Sequence, residues 1–305
     1  MSEKAQLVVE GKKLAVSNLN KVLYPKVGFT KGQVIDYYIR VAPVLLPHLR
    51  DRPLTMKRYP NGVDQEFFYE KNCPVHRPKW VKTAKVWSES NERMMNYCLA
   101  QDLPTLIWAA NLADLELHTS LSRKNNIKRP TIMVFDLDPG APADIVHCCQ
   151  VGIWLRDLLG KLKLKSVAKT SGSKGLQVYV PLNTSVTYDQ TKDLSRALAH
   201  HLEGEHADLV TSNMSKAVRK GKVFVDWSQN DEHKTTICVY SLRARQEPTV
   251  STPVTWEEVE HCLKNKKAEA LKFRSDKVIA RIEKLDDSFE PVEKLKQRLP
   301  RKRKL

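Results

Sequence analysis

The segment TIMVFDLD, residues 131–138, leaves little freedom in how the middle of this chain can fold. It is rich in β-branched and large apolar residues, and along an extended strand successive side chains point to opposite faces. Met133, Phe135 and Leu137 then enter a core, while Asp136 and Asp138 project together from the other side. Such a strand must be buried in a sheet, and its two carboxylates stand about 6–7 Å apart along it by the rise per residue. Like charges this close repel unless cations sit between them. A pair of divalent ions about 3.5–4 Å apart fits that spacing, and oxygen-only donors favour magnesium or manganese.

D-x-D alone is short and common at solvated strand ends. A second strand, KVFVDWS, supplies a third carboxylate, Asp226, with Val223 and Val225 on its opposite face. Between the two strands lies TSGSKGLQ, whose glycines permit a tight turn and whose Ser171, Ser173 and Lys174 can donate to phosphate oxygens. A plain hairpin turn is the ordinary fate of such a stretch. No G-x-x-x-x-G-K-[ST] loop and no K-x-D-G adenylation motif occur. Two metals beside a triphosphate cradle describe in-line attack of a 3′-hydroxyl on an α-phosphate with loss of pyrophosphate. Lys174, Arg219 and Arg243 can offset the charge that develops on the phosphates.

The rest of the chain fits a mixed α/β domain. Thr30 and Gln33 stand at capping-box spacing before an amphipathic helix running towards Pro47. Residues 52–86 read as loops and strands with a turn at Asn61-Gly62, residues 103–118 as a buried helix, and 143–160 and 188–204 as further helices. Leu194, Leu198 and Leu202 mark the buried stripe of the last. The final fifty residues read as charged helix ending in RLPRKRKL, a solvated tail able to touch DNA. Residues 1–250 are therefore expected to form a catalytic domain of two packed lobes, and 251–305 a helical extension.

With 41% apolar residues in 305, the chain can build a large core. Its net charge of +16 attracts polyanions. The six cysteines show no zinc spacing and no C-x-x-C pair, so neither a metal ribbon nor a disulfide framework is expected and the compartment reads as reducing. Neither a signal peptide nor an apolar run able to span a bilayer is visible, which predicts a cytoplasmic protein without membrane contact; it is further expected to be nucleoid-associated and a monomer.

The order FDLDPG, TSGSKGL, KVFVDWSQN, YSLRAR, preceded by NKVLYP and KRYPNGVDQEFFYEK, resembles the polymerase domain of bacterial DNA ligase D, a branch of the archaeo-eukaryotic primase superfamily. The resemblance covers about residues 16–250. It implies a primase-like α/β (α+β) fold, a central mixed sheet flanked by helices. It implies metal binding by Asp136, Asp138 and Asp226, and nucleotide contacts by Lys57, His118, Ser171, Lys174, Arg219, Gln229 and Arg243. It also implies that Lys21 and Lys31 hold the 5′-phosphate of a DNA break and that Phe68 stacks on template bases, roles suited to ammonium groups and aromatic faces. The implied activity fills gaps and extends 3′ ends in nonhomologous end joining, tolerates ribonucleoside triphosphates, and works with a ligase and the Ku end-binding protein. One departure stands out. The histidine that commonly follows S-G-x-x-G-x is Gln177 here, which can donate a hydrogen bond but cannot become cationic.

Other readings fit less well. A nucleotidyltransferase of the DNA polymerase beta type places its Gly-Ser element before the aspartates. A sugar-nucleotide glycosyltransferase gives no reason for so basic a chain. A non-catalytic end-binding module has no need of all three aspartates.

Overall fold

The computed structural model describes residues 4–300. The final residues of the basic run, 301–305, and the DNA contact expected of them lie outside the described residues. The chain forms two compact units, each assembled from separated segments. The first contains residues up to Asn125, Thr235–Ser251 and Phe273–Asp287; the second contains Asn126–Lys234, Thr252–Lys272 and the chain from Ser288.

The first unit opens with two hairpins, β1 (Lys4–Val9) with β2 (Lys12–Ser17) and β3 (Val22–Tyr24) with β4 (Phe29–Thr30). Helix α1 (Lys31–Leu49) begins at the capping box expected of Thr30 and Gln33. It buries Val34, Ile35, Tyr38 and Val41. Then follow β5 (Leu54–Arg58), β6 (Phe68–Glu70), β7 (Thr83–Ser88), β8 (Arg93–Cys98), α2 (Leu103–Asn111) and β9 (Asp114–Thr119). Here the structure corrects the helix expected over 103–118. Asp102 caps α2, which stops at Asn111; Ala113 takes a positive φ of 59°, and the chain leaves as a buried strand. A continuous apolar run carries no periodicity that separates a buried helix from a buried strand. A second correction concerns cysteine, because Cys73 and Cys98 form a disulfide with Cα atoms 5.0 Å apart.

The second unit carries the expected strand as β10 (Ile132–Pro139), followed by α3 (Ile145–Lys161), β11 (Val167–Thr170), β12 (Leu176–Pro181), α4 (Tyr188–Glu205), β13 (Val210–Thr211) and β14 (Val223–Asp226). The chain then returns to the first unit for β15 (Thr236–Ile237), β16 (Leu242–Ala244) and β17 (Pro248–Val250). Strand β18 (Pro253–Val254) and α5 (Trp256–Asn265) belong to the second unit, α6 (Ser275–Leu285) to the first, and α7 (Pro291–Lys294) to the second. Among the described residues the expected C-terminal helices are three, joined by extended and 3-10 segments.

Each unit is organised by one sheet. The first runs β15-β9-β5-β8-β7, with β6 also on β5. The second runs β13-β14-β10-β12-β11-β18, antiparallel except at β13–β14. Strand β10 is central there, and Met133, Val134, Phe135 and Leu137 are all fully buried. Helix α3 lies close over it. A Cβ on Gly152 would come within 2.9 Å of Leu176 and 3.6 Å of Leu137. Leu194, Leu198 and Leu202 of α4 are all buried, as their four-residue repeat predicts. Among the described residues no helix is long and apolar enough to cross a membrane.

Candidate active site

Sheet register brings the three aspartates together on the second unit. Asp136 of β10 lies directly opposite Asp226 of β14, and Asp138 lies two residues further along the same face. Directly opposed residues hold their Cβ atoms about 5 Å apart. All three side chains are half-buried at the end of otherwise apolar strands.

Their environments differ. Asp226 is tightly held: Ser228 donates to its Oδ1 from both backbone and hydroxyl, at 2.9 and 2.5 Å, and the Gln229 amide donates to Oδ2 at 2.9 Å. The following turn is fixed by Asn230, whose buried side chain bonds both the N–H and the C=O of Val134 on β10. Asp136, by contrast, has a buried Oδ1 with no hydrogen-bond partner. Burial, then the Asp138 charge, and further the Asp226 charge push its carboxyl up to about 7 against the pull of a Gln177 hydrogen bond. A buried, unpaired carboxylate oxygen among like charges fits a divalent cation, and the donor set is oxygen only. Asp136, Asp138 and Asp226 are the residues that would hold it.

The TSGSKGL turn lies beside this face. Gly172 takes a positive φ of 69°, and the Ser171 hydroxyl accepts the backbone N–H groups of Ser173 and Gly175 at 3.3 and 3.1 Å. Ser171 therefore shapes the turn that leaves Ser173 and Lys174 exposed. Gly175 presses against β10. A Cβ there would lie 2.4 Å from the Leu137 carbonyl oxygen and 3.6 Å from Asp138 Oδ1. Lys174 Nζ donates to the Pro139 carbonyl at 3.0 Å, at the end of the aspartate strand. Arg219 stacks on Phe224 at 3.7 Å and donates to the Met214 carbonyl. Gly140 lets this segment approach, since a Cβ there would overlap the Arg219 carbonyl at 1.9 Å.

The remaining nucleotide candidates, Lys57, His118 and Arg243, gather on the first unit around Glu116, a buried residue that the sequence patterns do not single out. Its carboxylate lies 3.5 Å from Lys57 Nζ, 3.1 Å from His118 Nε2 and 3.2 Å from Arg243 Nε, and it accepts the Ala244 N–H at 3.0 Å. Burial would raise the Glu116 carboxyl, but the His118 hydrogen bond and the Arg243 and Lys57 charges hold it well below the usual range. Burial lowers His118 in turn, outweighing the pull of Glu116. Lys57 sits over Phe67 at 4.2 Å and near Tyr59 and Tyr69, an aromatic box that favours a cation. The available signal was the alternation of Glu116 and His118 in ELH, which marks one face of a strand.

Elsewhere on the first unit, Lys31 is buried at the start of α1 and its backbone bonds to that of Lys21. Lys21 Nζ donates to Asn61 at 3.0 Å, in the turn where Gly62 has a φ of 94°. Burial, then the charges of Lys21 and Arg58, lower Lys31 to about 8. Phe68 is 43% exposed, backed by Arg58 at 5.0 Å, and edges an open cavity of about 600 Å³ with Tyr69, Lys71 and His76.

Residues 30–289 match the family of the LigD primase-polymerase domain. The chain is 39% identical over 283 residues to the multifunctional non-homologous end joining protein LigD of Mycolicibacterium smegmatis, covering 92% of this chain and 36% of that protein. It is 34% identical over 273 residues to the bifunctional LigD of Bacillus subtilis, covering 89% and 43% respectively. The chain thus spans less than half the length of these relatives. Its structure is similar to the polymerase domain of Mycobacterium tuberculosis ligase D solved in complex with DNA, with a TM-score of 0.86, 39% identity, and coverage of 93% of this chain and 99% of that one. The fold is accordingly the primase-like α/β fold, and the chain belongs to the LigD primase-polymerase domain family, whose chemistry is nucleotidyl transfer.

Proposed function

We propose that this chain extends DNA 3′ ends and fills gaps at double-strand breaks, acting as the primase-polymerase of nonhomologous end joining on ribo- or deoxyribonucleoside triphosphates. The observation that carries this reading is the shared face of Asp136, Asp138 and Asp226 beside the lysine-bearing glycine turn. Two Mn²⁺ or Mg²⁺ ions held there would activate the attacking 3′-hydroxyl and neutralise charge on the leaving pyrophosphate.

The chain's own residues do the rest. Asp226 is pre-oriented by Ser228 and Gln229, so Gln229 serves the nucleotide through that carboxylate. Ser173 and Lys174 meet the phosphates from the exposed turn, and Arg219 adds a fixed guanidinium. Lys57, His118 and Arg243 form the second set of nucleotide contacts, held ready by Glu116. Lys31 and Lys21 take the 5′-phosphate of a gapped duplex, where a dianion offsets their mutual repulsion, and Phe68 stacks on a template base. Ku and a DNA ligase are the partners this role calls for, the relatives being named as multifunctional end-joining proteins.

Nucleotide incorporation on a 5′-phosphorylated gapped duplex tests the reading. Wild-type protein is expected to extend the primer with Mn²⁺ or Mg²⁺, and Asp138→Ala to lose about 10³-fold, the equivalent of several kcal/mol of transition-state stabilisation. Equal extension by both proteins rejects the mechanism.

A further inference from the structure

A lysine lies buried in the same row as the acidic side chains. Register places Lys169 of β11 opposite Gln177 of β12, Gln177 opposite Asp136 of β10, and Asp136 opposite Asp226 of β14. Directly opposed residues share a sheet face, so these four side chains form one row across four strands. Lys169 has no exposed surface and Gln177 only 2%. The Lys169 ammonium donates to Gln177 Oε1 at 2.5 Å and sits 5.2 Å from the centre of the Tyr179 ring.

This arrangement settles which way the amide points. An ammonium only donates, so it must bind the amide oxygen; in the ionised form that holds a cation Asp136 only accepts, so its hydrogen bond with Gln177 then comes from the amide nitrogen. The row therefore has a direction, from cation through amide to carboxylate, and the Asp136 Oδ1 stays unbonded. A buried ammonium is costly, and an apolar side chain of similar size would fill the space at less expense. Its charge reaches Asp136, drawing that carboxyl down where burial and the neighbouring aspartates push it up. Lys169 also opens the Lys169–Thr170–Ser171 run, so one strand supplies this cation and leads directly into the phosphate turn.

We propose that Lys169 is a positioning residue that acts through Gln177 to hold Asp136 with its free oxygen ready for a divalent cation. The inference rests on the aspartates binding metal, and its test reads metal binding directly.

The measurement is the disappearance of the free Mn²⁺ electron paramagnetic resonance signal on titration with protein, with melting curves taken without metal. Partners that orient metal ligands are worth about 10–100-fold in affinity. Lys169→Met is expected to weaken Mn²⁺ binding about tenfold without lowering the melting temperature, and Gln177→Leu to do the same. Because the two act in series, the double variant is expected to lose no more than either single one. Lys169→Gln, which keeps a donor without the charge, is expected to fall between wild type and Lys169→Met. Wild-type affinity in either lysine variant that folds, or additive losses in the double variant, overturns the proposal alone, provided Asp136→Ala loses Mn²⁺. If Asp136→Ala binds Mn²⁺ like the wild type, the metal reading itself fails and the proposal goes with it.

Discussion

The acidic face of the second unit and the basic cluster of the first meet the same difficulty with opposite sign. Three carboxylates crowd one sheet face, with the buried Lys169 in the same row two strands from Asp136; three basic side chains crowd another, with the buried Glu116 among them. The opposition is applied differently. Glu116 touches its basic neighbours directly and is held deep in its ionised form. Lys169 works at one remove through an amide, and Asp136 is left close to neutral pH with an unpaired oxygen. Direct neutralisation suits groups that must keep a fixed shape. Indirect support leaves a carboxylate available to an incoming cation.

The comparison breaks most visibly at Glu116. Replacing it with glutamine leaves buried basic groups uncompensated, an effect of about 3–5 kcal/mol, and the melting temperature should fall sharply while the nucleotide KM rises at least about tenfold. An unchanged KM would show that the basic cluster does not serve the nucleotide. Next in size is Gly175→Ala, whose added carbon meets the Leu137 carbonyl oxygen; displacement of the turn by overpacking costs about 1–3 kcal/mol and should raise the nucleotide KM about tenfold. Unaltered kinetics would mean that the turn is not held against the aspartates. Gln229→Leu removes one of the donors to Asp226 and should weaken Mn²⁺ binding by about 1 kcal/mol, roughly fivefold, sharpening the contrast between the directly braced Asp226 and Asp136, which is supported at one remove.

The smallest effect is one of pH. Lys31 sheds its proton near pH 8 in the folded chain, well before an unfolded lysine would, so the fold disfavours its charged form and gains stability from this group as pH rises from about 8 to about 10.5. Phosphate binding needs the charged form. The preference for a 5′-phosphorylated gap should therefore shrink about threefold between pH 7 and pH 9, while Lys31→Arg, which stays protonated, should flatten that profile. A flat wild-type profile would remove Lys31 from phosphate recognition.

What the sequence alone makes legible follows the reach of each signal. The two-residue alternation in β10 and the glycines of the following turn are local, so the aspartates and Lys174 stand out from the residue pattern itself. So does α1, whose start is written in Thr30 and Gln33. The strand β9 is hidden, because LPTLIWAANLADLELH is apolar with no glycine or proline after Pro104 to break it, and Glu116 disappears with it into an expected helix. Lys169 and Gln177 are eight residues apart and meet only through strand pairing, which no local pattern announces. Cys73 and Cys98 pair across a separation of 25 residues that matches no motif.

The chain crosses between its two units at residues 125/126, 234/235, 251/252, 272/273 and 287/288. Neither unit can be expressed as a contiguous fragment. A ribosome must deliver α6 before the first unit is complete and α7 before the second, so neither can finish folding while most of the other is still unmade. Truncation near residue 250 would strip elements from both halves together, and a loss of activity in such a fragment would say nothing about where the chemistry resides.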